Sequence, residues 1–442
     1  MRGVGVFWVA ACTLLLGCTP HSSDSEATIV LRSLDGASVS DTLMVKAKLP
    51  CMPQLQEARY HIQNRTNPMQ SESIYLTDVI ASDYKIVALE TSEDCLVGYM
   101  SDVVKDDSLL FVVDGWNKYI YCFDLNGKYL RRIGRKGHAA DEYVNMMRVA
   151  FDKKNKRVCV YDGDSQKLVF YDYQGKFLGR ESLYFEFSHM AISDDGRRVF
   201  LTLPYEHPDY PSLDSYRLMV TDEKGVPQCG VLSDIGFPKY GLGGSQFNSD
   251  IDDAFHSTPD GVYYIDILSP DTIWRVGKKE CVPFLAADFG EPFTTLESYR
   301  EMTSDGYFKR MNQVMFMQDD FVFAKDFGYL NVNYGKRAIV NFKTGKYVIG
   351  ELCYKPGVPC RNFLEFTYAS YPNDKVFLYD WEDDQMVKVW DAAELKRRLK
   401  VAKESSGWEG VYDSWPQSDR DILDRLTPED NPVLVVATFK DF

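Results

Sequence analysis

The feature that most constrains the fold of this chain is an internal repeat with a spacing of forty-eight residues. Residues 113–130 (VDGWNKYIYCFDLNGKYL) return as residues 161–178 (YDGDSQKLVFYDYQGKFL). Alternating β-branched and aromatic residues are typical of β-strands. In each copy the Gly of an Asp-x-x-Gly turn supplies a positive φ, and the Asp can bond to its own backbone. Each unit is therefore predicted to contain strands joined by a tight hairpin.

The same turn recurs at residues 222–225, and a variant of it lies at residues 343–346. Two strands, a hairpin and a third strand make most of one propeller blade, and a blade must stack against neighbours to bury both faces. We therefore predict an all-β, six-bladed β-propeller of four-stranded antiparallel blades with short helical insertions. The predicted second strands of the blades are Leu109–Asp114, Arg157–Asp162, Val199–Leu203, Val262–Leu268, Phe321–Asp326 and Lys375–Asp380.

Two further strands have no blade of their own. Tyr84–Glu90 lies before the first repeat, and Pro432–Phe439 follows a polar, helix-prone stretch near the C-terminus. One or both should complete the last blade and remove an open sheet edge. The sequence leaves open which of them is outermost.

The N-terminus predicts export. Residues 1–17 have a short n-region and an apolar run too short to span a bilayer, which is typical of a signal peptide. The run ends in Leu15-Leu16-Gly17-Cys18, which resembles the lipobox of bacterial lipoproteins and implies lipidation of Cys18. Residues 18–73 are then a tether or extension, and residues 74–442 form the propeller. Thr19 follows the lipidated Cys where an Asp would indicate inner-membrane retention, which favours the outer membrane.

Net charge and cysteine spacing limit the classes of partner and ligand that this chain could bind. The formal net charge is −15, and it becomes −16 when Arg2 leaves with the signal peptide. Nucleic-acid binding needs a basic face, so nucleic acid is excluded as a partner. No Cys-x-x-Cys pair or zinc-like Cys/His cluster occurs. Cys353 and Cys360 are close enough in sequence for a loop disulfide, which the sequence does not establish.

Several motifs resemble one family. Residues 86–91 (IVALET), 123–128 (FDLNGK), 133–137 (IGRKG), 141–143 (DEY) and 430–434 (DNPVL) are similar to those of an uncharacterised family of bacterial lipoproteins. These are six-bladed β-propellers related to NHL-repeat and TolB-like propellers. The resemblance implies the fold and an exported lipoprotein, and it implies no activity. The family usually has a Gly-Pro-Gly segment where this chain has Ala-Ala-Asp.

Candidate binding residues come from loops that a propeller places on one face. They are Arg135, Lys136, His138, Asp141, Glu142, Tyr143, Trp116 and Trp381. Cations, an imidazole and carboxylates meet within nine residues, and aromatic faces can stack on sugar rings. The leading hypothesis is a lipid-anchored protein that binds a glycan, a peptide or a protein partner. The loop could instead be solvated and capped by Glu142, and each Trp could pack between blades.

Catalysis has weaker support, and whether the chain is an enzyme stays open. Neither a Gly-x-Ser-x-Gly elbow nor a phosphate-binding Gly-rich loop occurs. Oxygen ligands near the upper ends of the inner strands could hold calcium, and the candidates are Glu142, Asp252, Asp253 and Glu365. A calcium-dependent hydrolase, lactonase or lyase is therefore one alternative. A scaffold of a cell-envelope complex is the other.

Overall fold

In the described residues, six of the β-sheets are arranged as blades around a central channel. The computed structural model describes residues 28–30, 44–46, 50–64, 73–183, 187–202, 216–233, 255–266, 269–293, 309–310, 313–333, 335–353, 376–404, 410 and 412–442. The inner strands of successive blades contact one another around the channel. This architecture confirms the predicted all-β, six-bladed propeller.

Short N-terminal elements precede the first blade. They are β1 (Thr28–Val30), β2 (Met44–Lys46), β3 (Tyr60–Gln63), β4 (Ser73–Tyr75), α1 (Leu76–Val79) and β5 (Ile80–Ala88). β1 and β2 pair only with each other among the described strands, whereas β3, β4 and β5 join the blades.

The first three blades contain four consecutive antiparallel strands each. Blade one is β6 (Met100–Asp106), β7 (Leu109–Asp114), β8 (Tyr119–Asp124) and β9 (Tyr129–Ile133). Blade two is β10 (Met146–Asp152), β11 (Arg157–Asp162), β12 (Lys167–Asp172) and β13 (Phe177–Ser182). Blade three is β14 (Phe187–Ile192), β15 (Arg198–Thr202), β16 (Tyr216–Thr221) and β17 (Pro227–Ser233).

Blades four and five carry a fifth strand, because β3 and β4 pair in parallel with their outer edges. Blade four is β18 (Phe255–Thr258), β19 (Gly261–Asp266), β20 (Ser269–Val276) and β21 (Cys281–Asp288), followed by β3. Blade five is β22 (Met317–Phe323), β23 (Phe327–Val332), β24 (Lys336–Asn341) and β25 (Tyr347–Cys353), followed by β4.

Both ends of the chain build blade six. Its strands, from the channel outward, are β26 (Val376–Asp380), β27 (Gln385–Trp390), β28 (Val433–Phe439) and β5. The C-terminal strand is thus third and the N-terminal strand is outermost, and the two pair antiparallel from Val433↔Ala88 to Phe439↔Ile80. The predicted closure is confirmed, and the outermost position is now assigned. This pairing covers the edge that β28 would otherwise expose and joins the two ends of the chain in one sheet.

Two predicted strand positions were wrong. Phe321–Asp326 and Lys375–Asp380, expected as second strands, lie instead at the inner strands β22 and β26. In each of these blades the inner strand and the second strand are both short, mostly apolar segments. Neither has an alternating pattern that would distinguish an inner strand from a second strand.

The predicted hairpins are confirmed. Gly127 and Gly175 adopt φ of 84° and 83°, as the Asp-x-x-Gly turns require. In the first of these turns the Asp124 carboxylate accepts hydrogen bonds from the backbone N–H groups of Asn126 and Lys128, both at 2.9 Å. The side chain thus fixes the turn that joins the third and fourth strands of the blade.

The hydrophobic core lies between blades. One cluster combines Phe111 and Val113 of blade one with Val158 and Val160 of blade two. Each blade therefore buries both faces against its neighbours, and no single blade has a core of its own. Cys122 and Cys159 are fully buried on these strands, and burial raises the pKa of their thiols to about 11 and about 12.

Residues 50–64 lie along the outside of the propeller. Cys51 forms a parallel bridge with Gly230 on blade three, and β3 then pairs with blade four. Ile62 is 1% exposed. The chain next reaches blade five through β4 and blade six through β5. These residues, which we call the outer belt, were assigned to the extension before the propeller in the sequence analysis.

Two helices lie between β27 and β28. They are α2 (Ala392–Glu404) and α3 (Gln417–Arg425), and a 3-10 turn, Tyr412–Ser414, precedes the second. They pack Leu395, Leu399 and Leu423 against Trp390 and Val433 of blade six. Neither of them, nor any other helix in the described residues, is long and apolar enough to cross a membrane.

Candidate functional site

The channel has two chemically different ends. At one end, which we call the loop face, the inner strands begin and loops join each blade to the next. At the other end, the turn face, short turns join each inner strand to its second strand. Cation and carboxylate partners such as Lys156 and Asp106 mark the turn face.

On the loop face, Asp114 is a buried hydrogen-bonding centre. Its carboxylate accepts bonds from the backbone N–H groups of Gly98 (2.7 Å), Tyr99 (3.2 Å), Trp116 (3.0 Å) and Asn117 (2.9 Å). One repeated Asp therefore fixes both loops of blade one that reach this face. The repeat gave the position of this residue, but sequence reasoning missed its role.

Asp162 repeats the arrangement in blade two. It accepts hydrogen bonds from the Asn145 backbone N–H at 2.9 Å and from the Ser165 hydroxyl at 2.7 Å. Burial raises the pKa of this carboxyl, but these hydrogen bonds and others from the Val144 and Asp164 backbone outweigh burial and lower the pKa overall. The hydrogen bonds of the loop thus stabilise the ionised form of Asp162.

Between blades one and two, residues 134–143 form a loop that we call the cationic loop. Its last residue, Tyr143, is 0% exposed and packs edge-on against Tyr171. The Tyr143 hydroxyl donates a hydrogen bond to the Lys118 carbonyl at 2.9 Å, and its backbone N–H donates to the Arg135 carbonyl at 3.0 Å. Tyr143 was predicted to be a ligand-binding residue, and the structure places it as a buried anchor.

Glu142 holds the middle of the cationic loop. Its Oε2 accepts a hydrogen bond from the Ala139 backbone N–H at 2.9 Å. A Cβ atom at Gly137 would lie 2.1 Å from that same oxygen, so a larger residue there would displace the Glu142 carboxylate from its place in the loop. The Arg180 guanidinium donates to the carbonyl groups of Ala139 and Glu142. This matches the alternative in which Glu142 caps the loop.

The remaining candidates of the cationic loop reach solvent. Arg135 and Asp141 form an exposed ion pair at 2.7 Å, which raises the pKa of Arg135 and lowers that of Asp141. Lys136 and His138 are exposed. Trp116, two residues from the Lys118 carbonyl that anchors Tyr143, is 78% exposed. The structure therefore brings Trp116 to the same face as the exposed cations.

Trp381 does not belong to this group. It follows the inner strand β26 and lies in the turn before β27, which places it on the turn face. There its carbonyl accepts a hydrogen bond from the Lys325 backbone N–H, at 3.1 Å. The misplacement follows from the wrong strand position predicted for blade six.

Of the four calcium candidates, the structure describes Glu142, which is engaged with the cationic loop. Asp252, Asp253 and Glu365 lie outside the described residues, as do Cys18 and Cys360. Within the described ranges, no group of three or more His, Cys, Asp or Glu side chains could hold a metal ion.

The channel itself has a volume of about 920 Å³ and is lined by the inner strands of all six blades. Its polar lining includes Asp102, Lys105, Arg148, Lys153, His189 and His256. The Arg148 guanidinium lies 3.3 Å from Nε2 of His189 and donates to the Ser188 carbonyl at 2.7 Å. Sequence reasoning missed His256, Arg148 and Lys153, because which inner-strand residues face the channel is known only once the blade register is known.

Comparison with known proteins gives a family and a fold. The family model "Domain of unknown function (DUF4934)" matches residues 60–438. No curated protein matches this chain. The motif resemblance noted in the sequence therefore leads to a family without an established function.

Three solved structures are similar to this chain, and the first of them supports the propeller fold. A Bacteroides fragilis protein whose description marks it as expected to be exported is 18% identical, with a TM-score of 0.63 over 86% of this chain and 99% of that one. A Bacteroides vulgatus member of the DUF4221 family is 10% identical, with a TM-score of 0.46 over 82% and 97%. Virginiamycin B lyase from Staphylococcus aureus is 9% identical, with a TM-score of 0.33 over 69% and 84%. At these identities the likeness concerns the fold.

Proposed function

We propose a function for this chain from its own residues, because it belongs to the family of the domain of unknown function DUF4934. We propose that it is an exported, lipid-anchored protein that binds a partner through its loop face. The observation that carries the proposal is a cationic loop whose backbone is fixed while its cations stay exposed on the same face as Trp116.

A fixed loop favours binding because little conformational entropy is lost when a partner docks. The buried Tyr143, the Glu142 carboxylate and the Arg180 guanidinium hold the loop through hydrogen bonds at both ends and in its middle. None of these groups needs to move for Lys136 or His138 to meet a ligand.

Among the three classes of partner, the surface chemistry favours a glycan with acidic groups. The exposed Trp116 offers a flat apolar face for a sugar ring. Lys136 and His138 supply hydrogen-bond donors for a carboxylate or sulfate on the same glycan. A peptide or an envelope protein would use the same residues with less need for an aromatic platform.

Export and anchoring rest on the N-terminal sequence. The apolar run before Leu15-Leu16-Gly17-Cys18 supports a signal peptide with lipidation at Cys18. The description of the Bacteroides fragilis neighbour as an exported protein agrees with this. Thr19 supports the outer membrane.

The direct test is a glycan array probed with the purified protein, alongside acidic and neutral peptides. Trp116→Ala should weaken binding by about tenfold or more, the effect expected for loss of a stacked aromatic anchor. Lys136→Ala combined with His138→Ala should weaken binding of acidic glycans more than of neutral ones. Leu178→Ala, an exposed apolar position on the outer strand β13, is the matched control and should bind as the parent does.

Equal binding by the Trp116 variant and the parent would exclude this face. Binding of peptides with no glycan signal would reassign the partner class. For the anchor, labelling with a radioactive fatty acid should be lost in Cys18→Ala, and retained labelling would contradict lipidation at that residue.

A further inference from the structure

The turn-face end of the channel holds a second candidate site. The turns that form this end are all described, at residues 107–108, 153–156, 193–197, 259–260, 324–326 and 381–384. Most cations here have a carboxylate partner. Lys156 lies 3.0 Å from Asp106, and Lys325 lies 2.8 Å from Glu382. Lys105 contacts Asp380.

Lys153 differs from these cations. It directly follows the inner strand β10 and lines the channel. In the described part of the chain its ammonium forms neither an ion pair nor a hydrogen bond. The Asp106 carboxylate, which also lines the channel, is already engaged by Lys156 and by the Tyr173 hydroxyl at 2.7 Å.

An unpaired ammonium in a channel is costly. Burial lowers the pKa of Lys153, and Asp106, Asp194 and Asp102 offset this only from a distance. The Lys153 side chain is only partly buried, but holding a charge partly out of water without a partner is still unfavourable, and such groups concentrate at binding and catalytic sites. An anion beside Lys153 would remove this cost.

His256 supplies the second group of the site. It lies on the inner strand β18 of blade four, and its Nε2 lies 3.0 Å from the Phe323 carbonyl. Because a carbonyl only accepts, Nε2 carries the proton and Nδ1 is left as an acceptor. His256 and Lys153 both line the channel, Lys153 directly after β10 and His256 two residues before the end of β18, so both lie in the turn-face half of the channel.

The wall beside these groups is apolar and aromatic. Phe321 and Trp381 line the channel, and Phe321 packs edge-on against His256 with ring centroids 6.0 Å apart. A ligand here would meet one cation, one hydrogen-bond acceptor and aromatic surface. That combination suits a carboxylate attached to a ring or an apolar side chain.

We propose that the turn-face end of the channel binds a small organic carboxylate, with Lys153 pairing with the carboxylate and Phe321 and Trp381 packing on its apolar part. Nδ1 of His256 accepts a hydrogen bond from a ligand N–H or O–H. The carboxylate belongs to a free small acid or to the C-terminus of a peptide. This site lies at the opposite end of the channel from the loop face and does not depend on the function proposed above.

The test is titration calorimetry of the full mature chain with benzoate and with N-acetylphenylalanine. Benzamide and N-acetylphenylalaninamide are the neutral counterparts. At least one acid should bind saturably, and its amide should bind about tenfold or more weakly, as expected for loss of a charge-assisted bond. Binding of benzoate alone would indicate a free acid, and binding of N-acetylphenylalanine alone a peptide C-terminus.

Lys153→Met should abolish the preference for the acid while the thermal midpoint stays the same or rises, since an unpaired charge is removed. Lys325→Met, a turn-face cation outside the channel lining, should bind the acid normally. Trp116→Ala should also leave acid binding unchanged. The proposal is overturned if neither acid binds, if acid and amide bind equally, or if Lys153→Met binds like the parent.

Discussion

Oδ1 of Asn431 accepts a hydrogen bond from the backbone N–H of Val97 at 2.8 Å, although the two residues are 334 positions apart. Nδ2 of the same side chain donates to the Glu90 carbonyl at 2.7 Å, and the Asn431 backbone N–H donates to the Thr91 hydroxyl at 2.8 Å. Asn431 is buried and lies two residues before β28. It therefore joins the chain that enters the C-terminal strand to the chain that leaves the N-terminal strand.

Asn431→Ala should destabilise the propeller by about 2–4 kcal/mol, because several buried backbone groups lose their partner. Urea unfolding followed by tryptophan fluorescence measures the change. Asn126→Ala, an exposed Asn in the first hairpin, should change stability by less than about 0.5 kcal/mol. Similar effects of the two substitutions would show that Asn431 does not hold the closure.

The outer belt should contribute to stability. Ile62→Ala removes a side chain that is buried between the belt and blade four, and should cost about 2–5 kcal/mol. The neighbouring His61 is exposed on the same strand, so His61→Ala should be nearly neutral. The comparison is made by urea unfolding at neutral pH. If Ile62→Ala were also neutral, residues 50–64 would be a tether that only rests on the propeller.

Asp114 should hold the two blade-one loops of the loop face in a single conformation. Asp114→Ala leaves the Gly98, Tyr99, Trp116 and Asn117 backbone N–H groups without their acceptor and should cost about 2–4 kcal/mol. Hydrogen exchange at these positions should accelerate, whereas the hairpin at Gly127 should keep its protection.

Asp107→Asn is the control for Asp114, because it neutralises a carboxylate that is 75% exposed and keeps a residue type that tolerates the φ of 50° at this position. Its effect should stay below about 1 kcal/mol, as for a surface ion pair. Slow exchange at Gly98 and Trp116 in the Asp114 variant would contradict the assigned role.

The sequence was sufficient for the blade repeat and for its turns. The spacing between Asp114 and Asp162 placed the first two second strands, and Gly127 and Gly175 fixed the hairpins, because each residue type is required locally. Closure followed from the apolar C-terminal strand β28. In blades five and six, adjacent apolar strands gave no local signal of their order.

The site was less predictable, because it depends on where side chains point. Tyr143 and Trp116 are both aromatic loop residues, yet one is fully buried and the other is largely exposed. Only the packing of Tyr143 against Tyr171 separates them. Lys153 and His256 are far apart in sequence and line one channel only because the blades form a ring, so no local motif could indicate them.

His256 should make stability depend on pH. Burial is the largest cause that lowers its pKa from 6.5 to about 4, and Lys153 lowers it further while the bond to the Phe323 carbonyl opposes the shift. Between these two pH values the unfolded chain binds a proton at His256 that the folded chain does not. The contribution of neutral His256 to the free energy of unfolding is therefore fully present above about pH 6.5. It is lost as the pH falls towards about 4, and the loss amounts to about 1–3 kcal/mol.

His256→Gln isolates this contribution, because the Gln amide can still donate to the Phe323 carbonyl but does not titrate. Urea unfolding of both proteins between pH 7 and pH 4.5 gives two curves, to which all other titrating groups contribute equally. From pH 7 to pH 4.5, the free energy of unfolding of the parent should fall by about 1–3 kcal/mol more than that of the variant. Parallel curves would mean that the imidazole is protonated as easily in the channel as in water, and that His256 is not held neutral at the wall beside Lys153.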